Sequence, residues 1–194
     1  VGPNTPGTFL ITPDGLNVPG IAMTFQGFET VRGGSGDDTF VMSPNATIGS
    51  IDGGGGLRDV LDYSSFDAGV SVNFGTGSAT GANNLLNFEG VRGGRGDDSI
   101  VGGISADFLA GGLGNDTLDG QAGNDTLMGG EGFDLLLGGT GTGDRVVEAR
   151  DASIVLTSSE LMFAGPIEDS LSGIEQASLT GGDGSYEMAP TPFA

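Results

Sequence analysis

The sequence contains no cysteine, no histidine and no lysine. Without cysteine no disulfide supports the fold and no thiol chemistry is available, which is compatible with export. Without cysteine, histidine or lysine most nucleophile and general-base arrangements are also missing. Basic residues are scarce: six arginines stand against 26 acids, for a formal charge of −20. No basic patch can form to neutralise phosphates, so nucleic-acid binding is excluded and an anionic membrane surface is disfavoured. No run of about 18 apolar residues occurs, so no membrane span is expected. Helical periodicity is missing too, since no stretch sustains it beyond about two turns. Val1 opens the chain without an initiator methionine or a recognisable leader, as expected of a processed or excised segment.

What is present is glycine and acid. Forty of 194 residues are glycine, with no collagen-type period, so the glycines belong to turns. A compact chain this acidic repels itself and needs counter-charge, for which divalent cations are the obvious source. From Gly93 to Leu137 a nine-residue repeat runs without a gap: GGRGDDSIV, GGISADFLA, GGLGNDTLD, GQAGNDTLM, GGEGFDLLL. Position 1 is always glycine and position 6 always aspartate: Asp98, Asp107, Asp116, Asp125 and Asp134. Position 8 is always apolar: Ile100, Leu109, Leu118, Leu127 and Leu136. This is close to G-G-x-G-x-D-x-U-x, the signature of a calcium-binding parallel β-roll.

The chemistry follows from the backbone. Glycine-rich six-residue turns reach conformations closed to residues with a Cβ and can point several carbonyl oxygens inward. Calcium takes six to eight hard oxygen ligands, more than one turn supplies but within reach of two stacked turns. Successive nonapeptides face opposite sides, so one column should hold Asp98, Asp116 and Asp134, and the other Asp107, Asp125 and Asp144. This gives about three sites, and a fourth at the degenerate repeat GGTGTGDRV, where Asp144 arrives one place late. The position-8 residues should stack inside, each rung needing its neighbours.

A larger pattern recurs in FETVRGGSGDD (28–38), FEGVRGGRGDD (88–98) and, more loosely, IEQASLTGGDG (174–184), read as one supersecondary unit used three times. Strand-like runs cover Thr39–Met42, Val60–Tyr63, Val70–Phe74, Ile154–Thr157 and Leu161–Ala164. The fold expected is all-β: a right-handed parallel β-roll or β-solenoid with calcium in its Gly-Asp turns. The expected divisions are an irregular N-terminal edge or cap (1–20), the roll (21–146, with tandem nonapeptides at 93–146), a calcium-free solenoid continuation or cap (147–180) and an extended tail (181–194).

These residues resemble the RTX (repeats in toxin) family, also called haemolysin-type calcium-binding repeats. The match is strong over 93–137, clear for GGSGDDTFV at 33–41, and weaker for GGGGLRDVLDYS at 53–64. The resemblance implies metal-ligand roles for Asp98, Asp107, Asp116, Asp125 and Asp134, with Asp38 by the same motif position and backbone carbonyls completing each shell. It also implies a bacterial protein exported, usually by type I secretion, to the cell surface or medium. Departures are Ser105 and Gln121 in place of glycine, and Gly143 where an aspartate belongs.

Arg95-Gly96-Asp97 spells an adhesion tripeptide, but these are positions 3 to 5 of a repeat. Asn45, Asn115 and Asn124 begin glycosylation sequons, the last two inside predicted metal turns. The functional expectation is a non-catalytic, calcium-folded structural or adhesive module, part of a larger surface protein. Two alternatives stay open. One is a head-to-tail filament subunit; the other is a calcium-dependent polysaccharide-active solenoid relying on an arginine such as Arg92.

Overall fold

The computed structural model describes residues 6–17, 24–25, 30–150, 154–156, 160–163, 167–181 and 186–188. Every described element is a strand, and most strand pairs are parallel. The protein is a parallel β-roll. Among the described residues no helix is long and apolar enough to cross a membrane.

One sheet of ten strands runs the length of the molecule. Thr8–Thr12, Thr39–Met42, Val60–Asp62, Gly90–Arg92, Phe108–Leu113, Thr126–Glu131, Arg145–Arg150 and Gln176–Gly181 follow one another in parallel, and the antiparallel strands Gly15–Asn17 and Thr24–Phe25 extend it at one end. Facing it over the tandem block is a second sheet, with Ser71–Asn73, Ser99–Val101, Thr117–Asp119, Leu135–Leu137 and Ile167–Ser172 in parallel order. A third sheet of Thr30–Arg32, Ser50–Asp52 and Leu85–Leu86 flanks the N-terminal half.

Each nonapeptide spends six residues on its turn and leaves three for a strand, and in the long sheet Phe108–Leu113 and Thr126–Glu131 run on into the first three residues of the following turn. Only the position-8 side chain then points inward, since side chains alternate along a strand. Ile100, Leu109, Leu118, Leu127 and Leu136 are all fully buried. The two-sheet block is therefore held by single leucines. The three-sheet half encloses a wider interior and fills it with aromatics: Phe9 stacks on Phe40 with centroids 4.8 Å apart, and Phe88 meets Phe40 edge-on at 5.4 Å. Tyr63 is fully buried there and its hydroxyl donates to the Thr80 carbonyl.

One expectation is corrected. Residues 1–20 are not wholly irregular, because Thr8–Thr12 joins the long sheet and buries Phe9 and Ile11. The 28–38 and 88–98 patterns each carry a three-residue strand followed by a glycine turn, but in different sheets. Thr30–Arg32 lies in the small sheet, whereas Gly90–Arg92 lies in the long one, so their glycine turns lead to different faces. The hairpin of Ser71–Asn73 with Ser78–Ala79, and the antiparallel pair Ile154–Leu156 with Glu160–Phe163, widen two circuits. Of the tail 181–194, only Gly181 and Tyr186–Met188 are described, the latter pairing in parallel with Ile154–Leu156. Residues 1–5 and 18–20 of the expected edge, with Thr157 and Ala164, lie outside the described residues.

Candidate metal centre

Each strand of the long sheet is preceded by one turn residue, and sheet register aligns those residues. Thr39 pairs Val60, Val60 pairs Gly90, Gly90 pairs Phe108, Phe108 pairs Thr126, Thr126 pairs Arg145 and Arg145 pairs Gln176. The residues just before them are Asp38, Asp59, Glu89, Asp107, Asp125, Asp144 and Glu175. They form one continuous acid column along an edge of the roll. On the other edge Ser71, Ser99, Thr117, Leu135 and Ser170 are in register. The preceding residues are Val70, Asp98, Asp116, Asp134 and Asp169, so this column starts apolar and continues with four acids.

Backbone amides lock the columns. The Asp98 N–H donates to Asp116 Oδ1 and the Asp116 N–H to Asp134 Oδ1, each at 2.8 Å. Asp134 N–H in turn donates to Asp169 Oδ1 at 3.1 Å. On the opposite edge Asp107 donates to Asp125 and Asp125 to Asp144, both at 2.8 Å, and Asp38 donates to Asp59 at 2.6 Å. A second ladder runs the other way at position 5: Asn115 N–H donates to Asp97 Oδ1 and Phe133 N–H to Asn115 Oδ1. Asn124 receives the Thr142 N–H in the same way. This accounts for the Asp or Asn at position 5, and it engages the exposed Asp of the Arg95-Gly96-Asp97 tripeptide in a hydrogen bond to the next rung.

The second carboxylate oxygen of the column residues points into a glycine cradle. A Cβ on Gly111 would meet Asp116 Oδ2 and, at 2.7 Å, the Gly129 carbonyl. The same construction joins Gly93 to Asp98 and the Gly111 carbonyl, Gly102 to Asp107 and the Gly120 carbonyl, Gly120 to Asp125 and the Gly138 carbonyl, and Gly33 to Asp38 and the Gly53 carbonyl. Position 1 is glycine because carboxylate and carbonyl oxygens of two successive rungs converge where a methyl group would stand. Position 2 varies more. Gln121 replaces glycine there at φ 68°, its side chain held by Asp119.

Inside these cradles Asp116 Oδ2, Asp125 Oδ2 and Asp144 Oδ2 are buried without a hydrogen-bond partner, as is Asp59 Oδ2. An orphaned, buried carboxylate oxygen is expensive unless a cation faces it. Burial first, then the like charges of Asp134 and Asp98, pushes the Asp116 carboxyl up to about 7. Burial, with Asp125 and Glu89 nearby, takes Asp107 to about 7 as well. Asp59 and Asp125 rise to about 6 for the same reasons, burial first. Two unit charges one strand spacing apart, about 4.8 Å, repel by roughly 3 kcal/mol at an effective dielectric of about 20. The ionised columns therefore require a cation.

The donor set is oxygen only, which suits a hard cation. Among the described residues no three carboxylates converge on one point, so each ion must draw several ligands from the backbone carbonyls. The turns present such carbonyls beside each carboxylate, and the fit is to a calcium-like ion with many flexible oxygen ligands.

Comparison with known families agrees. The RTX calcium-binding nonapeptide repeat, in four copies, matches residues 24–41, 91–118 and 119–142. These segments belong to the RTX calcium-binding repeat family. RTX nonapeptides bind calcium, and the cation implied by the cradles is thereby named. No curated protein matches the chain.

All seven aspartates expected as ligands lie in the two columns. Asp38 stacks with Asp107, Asp125 and Asp144, on the edge opposite Asp98. Sequence reasoning did not assign Asp59, Glu89, Asp169 and Glu175. It also missed Glu148, buried at the end of the block, where its Oε1 accepts the Gly129 N–H at 2.7 Å. The repeated Phe-Glu and Ile-Glu pairs were the available signal for two of these. Arg92 pairs with Asp62 at 3.6 Å.

Proposed function

We propose that this chain is a calcium-folded structural or adhesive module of a secreted or cell-surface bacterial protein. The observation that carries the reading is the in-register acid columns with orphaned oxygens aimed into glycine cradles. Asp38, Asp98, Asp107, Asp116, Asp125, Asp134 and Asp144 hold calcium with carbonyls such as those of Gly53, Gly111, Gly120, Gly129 and Gly138. The bound ions neutralise the columns and tie each rung to the next. At low calcium, repulsion and the ordering entropy of so many glycines outweigh the thin leucine stack, and the block is unfolded. An unfolded chain suits passage through a narrow export channel, and calcium outside the cell then folds it. Expanding this to residues 147–180, Ile167–Ser172 and Gln176–Gly181 continue both sheets as part of the same solenoid.

A head-to-tail filament is the second reading. It is favoured by Gln176–Gly181, which ends the long sheet with one edge unpaired among the described strands. A calcium titration followed by circular dichroism and sedimentation tests both. Folding to a monomer supports the module, and folding coupled to polymer growth supports the filament. A spectrum that ignores calcium would overturn the proposal.

A further inference from the structure

Two turns outside the nonapeptides share a construction that their sequences do not advertise. Asn87-Phe88-Glu89 and Gly173-Ile174-Glu175 each begin with a residue of left-handed backbone, φ 55° and 66°. Each then buries its apolar residue, Phe88 or Ile174, in the core. Each ends with a glutamate in the position that aspartate holds in neighbouring rungs. Both close wide circuits of the long sheet, spanning 30 and 31 residues where the tandem rungs span 18. The Asp59 N–H donates to Glu89 Oε2 at 2.9 Å and the Asp144 N–H to Glu175 Oε2 at 2.8 Å. The three-residue turn is shorter than the six-residue one, and the extra methylene of glutamate returns the carboxylate to the column.

The cradle is present at both places. A Cβ on Gly53 would meet the Asn87 carbonyl and, at 2.8 Å, Asp59 Oδ2. A Cβ on Gly138 would meet the Gly173 carbonyl and lie 2.9 Å from Asp144 Cβ. Asp59 and Asp144 are 1% and 0% exposed, and the Oδ2 atom of each has no hydrogen-bond partner. A hydrogen-bond acceptor alone would be met by glutamine without adding charge to a repelling column. Glutamate at both turns is explained if a cation sits against it.

We propose that Glu89 and Glu175 are calcium ligands, completing sites with Asp59 and the Asn87 carbonyl, and with Asp144 and the Gly173 carbonyl. This rests on the reading that the aspartate columns hold calcium. The ion ladder then continues past the nonapeptides and pins both wide circuits to the regular block.

The test is calcium binding by the full chain, counted by equilibrium dialysis and native mass spectrometry, for wild type, Glu89→Gln, Glu175→Gln and Asp116→Asn. Glutamine keeps the hydrogen-bond acceptor and removes the charge. Each Glu variant is expected to bind at least one ion tenfold or more weakly, while its β spectrum recovers at high calcium. Full stoichiometry and affinity in both Glu variants, with loss in Asp116→Asn, would overturn this inference and leave the column reading standing. A Glu variant that fails to fold at any calcium concentration would also overturn it, by making the glutamate a packing element. No calcium bound by wild type would remove the column reading itself.

Discussion

Replacing Gly111 with alanine adds one methyl group at a defined place. That methyl would overlap Asp116 Oδ2 and approach the Gly129 carbonyl to 2.7 Å, both being oxygens of the same cradle. Gly111 is not among the glycines with positive φ, so alanine strains no backbone dihedral there and the effect isolates the cradle. Forcing a methyl into a packed interior costs about 1–3 kcal/mol. Moving Asp116 Oδ2 aside to relieve the overlap takes it off the ion, and each tenfold loss of affinity corresponds to about 1.4 kcal/mol. Gly55 provides the control. Its added Cβ would lie 3.9 Å from the nearest heavy atom, Ser35 Cα. Gly→Ala at a compatible position stabilises by about 0.4–1 kcal/mol through the unfolded state. The two substitutions should therefore move stability in opposite directions. Urea denaturation at saturating calcium reads the first quantity, and the calcium midpoint by circular dichroism reads the second. Gly111→Ala should lose about 1–3 kcal/mol and need at least about tenfold more calcium, while Gly55→Ala matches or exceeds wild type. If Gly111→Ala folded at the wild-type calcium midpoint with wild-type stability, the cradle would not be where calcium binds.

Four further outcomes follow from the geometry. Burial holds the Asp107 and Asp116 carboxyls near 7, and Asp59 and Asp125 near 6, against an ordinary value of 3.8. Carboxyls raised on folding stabilise the metal-free roll below about pH 4 and lose that contribution as pH rises through 6 to 7. Chelated protein should thus show more β signal at pH 5 than at pH 8, and an unchanged or opposite spectrum would contradict the assignment. Leu118 is fully buried between Ile100 and Leu136, so Leu118→Ala should cost about 2–5 kcal/mol in urea melts at saturating calcium. Leu57, 90% exposed on a turn, should tolerate alanine within about 0.5 kcal/mol. Asn115→Ala keeps the backbone N–H bond to Asp97 but removes the Oδ1 acceptor of the Phe133 N–H, and should cost about 0.5–1.5 kcal/mol with calcium stoichiometry unchanged, which dialysis checks.

The tandem block was legible in the sequence because backbone, metal and core all impose the same nine-residue period. Glycine at position 1, aspartate at 6 and leucine at 8 are separate physical demands that recur together, and their register fixes which residues stack. Legibility ended where the period broke. Glu89 and Glu175 occupy the aspartate column by way of a shorter turn and a longer side chain, and they lie 30 and 31 residues after the preceding column acids, Asp59 and Asp144, outside the nonapeptide period. Asp169 meets Asp134 across 35 residues, a separation only the folded register reveals. The FETVRGG and FEGVRGG segments show the opposite limit. Nearly identical residues enter different sheets, because a local sequence specifies strand and turn but not the circuit that precedes them. The N-terminal aromatics were not predicted as a wider core for the same reason, since the third sheet is a consequence of circuit length.

Circular dichroism of the purified chain at pH 7.5, first in excess chelator and then through a calcium titration, tests the central claim most directly. The acid columns predict a largely unfolded spectrum in chelator and a cooperative gain of β structure as several ions bind. Full β content in excess chelator at that pH would contradict the claim, because the ionised columns would then stand without the cation that their geometry requires.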